Sequence, residues 1–469
     1  MRVPLASGAY KEVAPGTPAR VCQNFYLEKA DTDPQRNLKL VRCPGSLALD
    51  SWGGNIRGVA QADGFASGKI LVVVGTALKT YDPSTGLVGT ITGTVAGTDR
   101  VQFAFTATEC AILGNGVLHF SDGSTVAAST DSDFPANITS VAAIEQRFVF
   151  SYGTEGRWGY TEVSDGDNTT ALSYYTAEYA PDGLVALFVL GARLFLFGTA
   201  SLEEWYPTGD SDNPFRRGSG RVTETGCLCR DAIRKLDNTV YWIDRECSVR
   251  RIGSAETPEI ISTPAIARAI RATDADDITA MSQEVDGHAF YFVLLPDEGC
   301  FVLDANMGGE WHERKTNLTD SWRYGYLISA AGKHYVADFD GAGFAILSRT
   351  YQSEHMPDAD TMGTEIVCIG SGFASISEGI ETVYTLRIEG AKGQGLPSGQ
   401  GSAPVIQLRV WKGNNWSNWK TRGTGVQGNY RTRSIFRRLG AHRAPGFNFQ
   451  YLVSDPVVTV IDGCALNED

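Results

Sequence analysis

Few residues in this chain are spaced to do chemistry. Gly423-Thr-Gly-Val-Gln-Gly428 has the GxGxxG spacing that lets a backbone approach a pyrophosphate, but no apolar strand leads into it and no helix follows. The sequence holds no Walker loop, no HExxH pair and no GxSxG nucleophile elbow. Its six histidines are scattered, and His312, inside Glu310-Trp-His-Glu-Arg314, reads as a strand-edge residue and not as a base. Asp338-Phe-Asp-Gly-Ala-Gly343 begins like a calcium loop yet lacks the later ligands and the bidentate Glu, so a glycine-assisted turn is expected. Paired axial carboxylates would mark a propeller hydrolase, and no motif speaks for them. The expectation is therefore a protein that is not an enzyme, with no catalytic residue, no metal ligand and no cofactor.

One cluster does stand out. Trp411, Trp416 and Trp419 lie among Arg409, Lys412 and Lys420, types that stack sugars or bases and that equally suit half-buried indoles beside solvated lysines. It is kept as an interface candidate.

The elements that would position these residues are short. Leu184–Leu190 is an apolar run closed by a Gly-Ala turn, Leu194–Phe197 is a second, and Leu202–Tyr206, ended by Pro207, is a third. Arg193 and two glycines at turn positions break this apolar block, which excludes a membrane span of about 20 residues. The same unit recurs. Leading strands at Ile70–Val74, Cys110–Leu113, Phe148–Phe150, Leu194–Phe197, Val240–Ile243, Phe290–Leu294 and His334–Val336, with the sixth measured from Ala289, begin 38 to 49 residues apart. That period, with three or four strands per unit, is what propeller blades require. Seven blades are expected, with six plus an accessory sheet as the open alternative. Thr263-Pro264 predicts a capped helix carrying Ile266 and Ile270 between two blades.

Around this body, at about 55–347, residues 1–54 carry five breaking signals (Pro15, Pro18, Pro34, Pro44 and Gly53-Gly54) and are expected as an extended arm. Residues 348–364 read as a polar linker containing Pro357, where limited proteolysis should cut. Residues 365–469 read as a separate antiparallel, sandwich-like β-domain. The fold class is all-β.

Composition agrees. Fifty-two glycines, 10% aromatic residues and no long charge run suit many strands joined by tight turns. Nine cysteines, an odd number without a CxxC pair, suit buried reduced thiols in a protein made in the cytosol; the opening residues hold no apolar run of signal-peptide length. A net charge of −13 argues against a protein that grips nucleic acid over its whole surface. The charge is uneven: residues 390–454 hold ten Lys or Arg and no Asp or Glu, leaving about −23 on the remainder.

Several stretches together resemble one family. Arg20-Val-Cys-Gln-Asn-Phe25, Glu204-Trp-Tyr-Pro-Thr-Gly209 with Asn213-Pro-Phe-Arg216 and Gly226-Cys227, Asp286-Gly-His-Ala-Phe-Tyr291 and Trp311-His-Glu-Arg314 are similar, in that order, to the packaged-DNA stabilisation proteins of P22-like short-tailed phages. Phe436-Arg-Arg-Leu-Gly440, Arg443 and Ser454-Asp-Pro456 resemble that family's C-terminus; Lys412-Gly-Asn-Asn-Trp416 departs from it, where an Asp-Gly-Gly turn is frequent. The resemblance implies a structural tail hub or nozzle of the virion, made and assembled in the host cytoplasm. Such a ring, usually six-fold, lies below the portal and adaptor, carries tailspikes or fibres, is closed by a needle, retains packaged DNA and later conducts it without reading its sequence. A ring needs contact surfaces. The candidates are Arg20 and Asn24 near the N-terminus and Arg409, Lys420, Arg422, Arg431, Arg433, Arg437, Arg438 and Arg443 in the basic region. A carbohydrate-active or carbohydrate-binding propeller is the alternative; a trimeric fibre would show a β-helical repeat, which this spacing does not.

Overall fold

A computed structural model describes residues 2–3, 20–29, 38–177, 179–180, 182–253, 257–355, 363–376 and 378–468. The chain groups into two compact units, one of residues 48–284 with 324–346 and one of residues 1–47, 285–323 and 347–469.

In the first unit the strands are arranged as successive antiparallel meanders. Ile56–Ala60, Ile70–Val74, Ala77–Tyr81 and Val88–Gly93 make the first blade; Gln102–Phe105, Cys110–Gly114, Val117–Ser121 and Thr125–Ala128 make the second. The third runs from Ile138 to Thr176, the fourth from Leu184 to Thr223 and the fifth from Arg234 to Ile260. The sixth set in chain order, His288–Leu295, Gly299–Asp304 and Glu310–Arg314, belongs to the other unit, and Tyr324–Ala330, Lys333–Asp338 and Gly343–Ser348 form the seventh.

Alternation explains why these residues must form stacked sheets. Ile70, Val72 and Val74 point into one apolar cluster, with Tyr335 and Phe344 of the seventh blade, while Leu71 and Val73 point into the next, with Cys110 and Ile112 of the second. Phe148 and Phe150 pack against the second blade while Val149 packs towards the fourth; Leu194 and Leu196 face the third blade, and Phe195 and Phe197 the fifth. A strand buried on both faces reads as a continuous apolar run, which is how each leading strand announced itself. Burying a side chain of this kind contributes about 1.5–3 kcal/mol.

Two-residue turns join the hairpins. Asn115 and Gly116, with φ of 52° and 73°, link Cys110–Gly114 to Val117–Ser121 in the left-handed conformation that such turns require. An early segment of the chain packs on the seventh blade. Gly45–Ser51 is the neighbour of Gly343–Ser348 in the seventh sheet, the Trp52 amide donates to the Ala342 carbonyl at 3.1 Å, and the Trp52 ring meets Phe344 edge-on. The helix is present at Pro264–Ala272, its first turn capped by Thr263 Oγ1, which accepts from the Ile266 amide, with Ile266 and Ile270 buried.

The second unit is built from two sheets around a shared core of Phe25, Leu40, Leu386, Leu408, Phe436 and Phe449. One sheet has the order Phe25–Lys29, Leu38–Arg42, Val460–Leu466, Ile380–Gly390, Ser434–Arg443; the other contains Cys368–Ser375, Gly446–Val453, Val405–Val410 and Lys420–Gly423. The expected extended arm is corrected over residues 22–29 and 38–51. Phe25–Lys29 and Leu38–Arg42 pair as a hairpin, Cys22 and Gln23 pair with Gly370 and Ile369, and Phe25 and Leu40 are fully buried. The prolines punctuate short strands here and do not prevent packing. Likewise Ser353–Glu354, within the expected linker, pairs with Thr364–Glu365, and the Trp322 indole donates to Glu354 Oε1 at 3.0 Å. Pro357 lies outside the described residues.

Candidate interaction surfaces

The first strands of the blades surround an axial cavity of about 350 Å³, lined by residues such as Val59, Phe103, Leu187, Met281 and Ile328. Arg and Asp side chains strap its mouth. Arg100 donates to the carbonyls of Ile278 and Asp277 at 3.0 and 3.1 Å, pairs with Asp231 at 3.6 Å and lies 4.6 Å from the centre of the Phe339 ring. Arg230 binds Asp231 at 3.1 Å and the Thr139 carbonyl at 3.0 Å. These bonds tie together segments up to 178 residues apart across the axis. Two carboxylates here are engaged: Asp231 by two arginines, and Asp99 by Arg57 at 3.3 Å and the Asn115 amide at 3.0 Å. They act as fasteners.

The isolated motifs resolve into structure. His312 is buried, and that burial, reinforced by Arg314 and His288, lowers its pKa to about 3, so it is a neutral core ring. Asp338 Oδ2 accepts the Gly343 amide at 3.0 Å, closing a turn. Residues 423–428 leave the strand Lys420–Gly423 into a turn fixed by the Gly428 amide on the Gly393 carbonyl. All nine cysteines are buried and none forms a disulfide, and burial pushes the Cys229 thiol up to about 12. One polar pair was invisible in the sequence: buried His288 donates from Nδ1 to Asp304 Oδ2 at 2.6 Å, beneath the Tyr26 ring. Among the described residues, no group of His, Cys, Asp and Glu could hold a metal.

The sequence-predicted interface residues divide into two sets. Asn24, in the left-handed conformation, is buried; its Nδ2 donates to the Lys315 and Val367 carbonyls at 2.8 and 2.9 Å and its Oδ1 accepts the Lys315 amide, so it pins the fold and offers nothing to a partner. Arg20 is exposed. Lys420 donates to the carbonyls of Arg437 and Arg438 at 3.0 and 2.8 Å, Arg422 to that of Ile435 at 2.9 Å and Lys412 to that of Leu439 at 2.7 Å. Ser434–Arg443 is the last strand of its sheet, so these cations cover carbonyls on its open side, a known device for protecting an edge. Burial and then the neighbouring Lys412, Arg422 and Arg438 lower the Lys420 pKa.

Arg409 is held from both sides. Its Nε and Nη2 bind Gln450 Oε1 at 2.9 and 2.6 Å, and its guanidinium lies 4.8 Å from the Trp416 ring centre and 4.5 Å from that of Trp419. Trp411 meets Trp416 edge-on at 5.3 Å, and all three indoles are half-exposed. Arg431, Arg433, Arg437, Arg438 and Arg443 are exposed, with no carboxylate within ion-pair distance among the described residues. Arg438 has φ of 56° at a break in register with Ile380–Gly390, and this bulge turns two successive arginines outward.

The described residues thus form a β-propeller and a β-sandwich whose surfaces present arginines and indoles. Residues 1–352 match the family described as "Bacteriophage P22 Gp10, beta-propeller", and the chain belongs to that family. It is 25% identical over 251 residues to the tail hub protein gp10 of Salmonella phage P22, a match covering 49% of this chain and 53% of that protein; the chain thus spans about half the length of that relative. Among solved structures it is similar to one from a study of PorZ, a surface component of the type-IX secretion system of Porphyromonas gingivalis. That likeness has 12% identity and a TM-score of 0.40, over 81% of this chain and 46% of that one.

Proposed function

We propose that the chain is a tail hub of a short-tailed phage, a non-enzymatic subunit that closes with its copies into a ring, six in number, in the virion tail. The observation that carries this reading is membership of the P22 Gp10 family, joined to a rigid body whose carboxylates serve as fasteners. The ring sits below an adaptor, bears a tailspike or fibre and a needle, and retains and then conducts DNA. Arg431, Arg433, Arg437, Arg438 and Arg443 are its contact residues, meeting carboxylates of neighbouring copies or of the adaptor, where Arg pairs bidentately. Native mass spectrometry of the purified chain tests the reading: a closed oligomer is expected, and a monomer at every concentration and salt overturns it.

The Arg409 and Trp416–Trp419 stack favours a second reading, a carbohydrate-binding propeller protein, since exposed indole faces stack on sugars. Glycan-array binding lost in Trp419→Ala would support it; no binding would remove it.

A further inference from the structure

The outer edges of the blades are not equally guarded. The outermost strands of the first and second blades pair with each other, Thr92 opposite Thr125. The fourth ends on Phe215–Thr223, which carries exposed Arg216 and Arg217, and the fifth on Glu259–Ile260, where Glu259 pairs with Arg251 at 2.9 Å. The third ends on Tyr174–Thr176, which carries no charge of its own, with Arg157 of the neighbouring strand 5.8 Å from the Tyr174 ring centre. Beside it Leu172 is 86% exposed and Tyr179 49%. An open, uncharged, aromatic edge is a template for association unless something covers it.

This edge is also rigid and acidic. The loop leading to it is tied down by Asp131, which accepts the Thr169 amide at 2.9 Å, by Asp133, which accepts that of Ala171 at 3.3 Å, and by Asp167, which binds Ser129 and Thr130. Glu109 accepts the Gly166 amide at 2.8 Å. Between residues 129 and 176 seven carboxylates stand against two arginines. A loop already held in one conformation loses little entropy when it binds. The complement on the same chain is the basic face: exposed Arg437 and Arg438 on their bulge beside half-exposed indoles, without a carboxylate from 390 to 454.

We propose that the outer edge of the third blade, residues 172–176 with Asp133 and Asp165, is the docking surface for the Arg437 and Arg438 face of a second copy of this chain. The proposal rests on the ring reading and supplies its missing half, because a head-to-tail ring needs two different surfaces that fit each other. Apolar contact at Leu172 and Tyr174 would give the centre of the patch, and paired charges its rim and register.

Charge exchange in the full-length chain tests it, read by analytical ultracentrifugation with thermal melting as the control for folding. Arg437→Glu with Arg438→Glu, and separately Asp133→Lys with Asp165→Lys, are each expected to weaken assembly at least about tenfold at low salt. Mixing the two reversed chains in equal amounts should restore assembly, and the 174–176 amides should gain protection from hydrogen exchange only in the assembled form. If the unaltered chain assembles and the reversed chains assemble equally well, or fail without rescuing each other, the proposal falls while the ring reading stands. If the unaltered chain remains monomeric, both fall.

Discussion

At the scale of single residues, burial decides what the polar groups do. His312 is a neutral ring whose pKa lies near 3 when folded, because burial and the neighbouring Arg314 and His288 disfavour the imidazolium; when unfolded it returns to about 6.5. The unfolded state therefore binds the extra proton as pH falls below about 6.5, so this contribution to stability is full above that value and is lost towards pH 3. The slope is about 1.4 kcal/mol per pH unit for one proton. In Gln or Phe variants of His312, the fall in stability between pH 6 and 4, followed by urea unfolding, should be shallower by that slope; equal slopes would contradict the account. Arg409 makes a different case: burial lowers its pKa, yet its guanidinium stays charged, as arginine does, and is held between a side-chain amide and two indoles. Arg409→Ala removes two bonds to Gln450 and two indole contacts, and should cost about 1–3 kcal/mol in urea unfolding while shifting tryptophan emission to the red. No spectral change would mean that the stack does not hold the indoles.

At the scale of elements, the cations on the edge of Ser434–Arg443 matter more than their charge alone suggests. Each bond from Lys420, Arg422 or Lys412 to a strand carbonyl contributes about 1 kcal/mol, and together they block a ladder that another chain could join. Lys420→Met with Arg422→Met keeps the apolar stems. It should lower the unfolding midpoint and raise concentration-dependent light scattering; an unchanged midpoint with no scattering would show that the edge needs no cover. This capping could not be read from sequence, because its partners are backbone carbonyls 13 to 27 residues away. The seven leading strands were legible for the opposite reason: Ile70–Val74 is buried on both faces, so its apolar run needs no partner to be recognised. Cys22–Gln23 was illegible. Two residues carry no periodicity, and the strand that gives them meaning, Cys368–Ser375, lies over 340 residues on. For the candidate site, composition revealed the basic face at Arg437 and Arg438, while the bulge that exposes both, the burial of Asn24 and the bare third-blade edge emerge only from pairing.

At the scale of the whole molecule, the packing of residues 22–29 and 38–51 changes how assembly is to be tested. Removing residues 1–50 would strip Phe25 and Leu40 from the sandwich core and most of the strand that closes the seventh blade, so loss of assembly in that truncation would report misfolding. The charge distribution offers a cleaner test. A conduit that releases DNA must not hold it, and each phosphate neutralised by Lys or Arg adds salt-sensitive affinity, with 6–10 contacts worth three to five decades between about 50 and 200 mM salt. Five exposed arginines per copy, repeated around a ring and facing its channel, would exceed that count and act as a brake. Turned instead towards carboxylates of neighbouring copies, as proposed above, they would be neutralised, and the net charge of −13 per chain would keep the wall repulsive and the DNA centred. Filter binding of duplex DNA to the assembled ring should therefore be weak, with little dependence of affinity on salt, while the ring itself loosens as salt rises. Tight binding with a slope of several phosphates per ring would place the arginines on the channel wall and make them a clamp on the packaged genome.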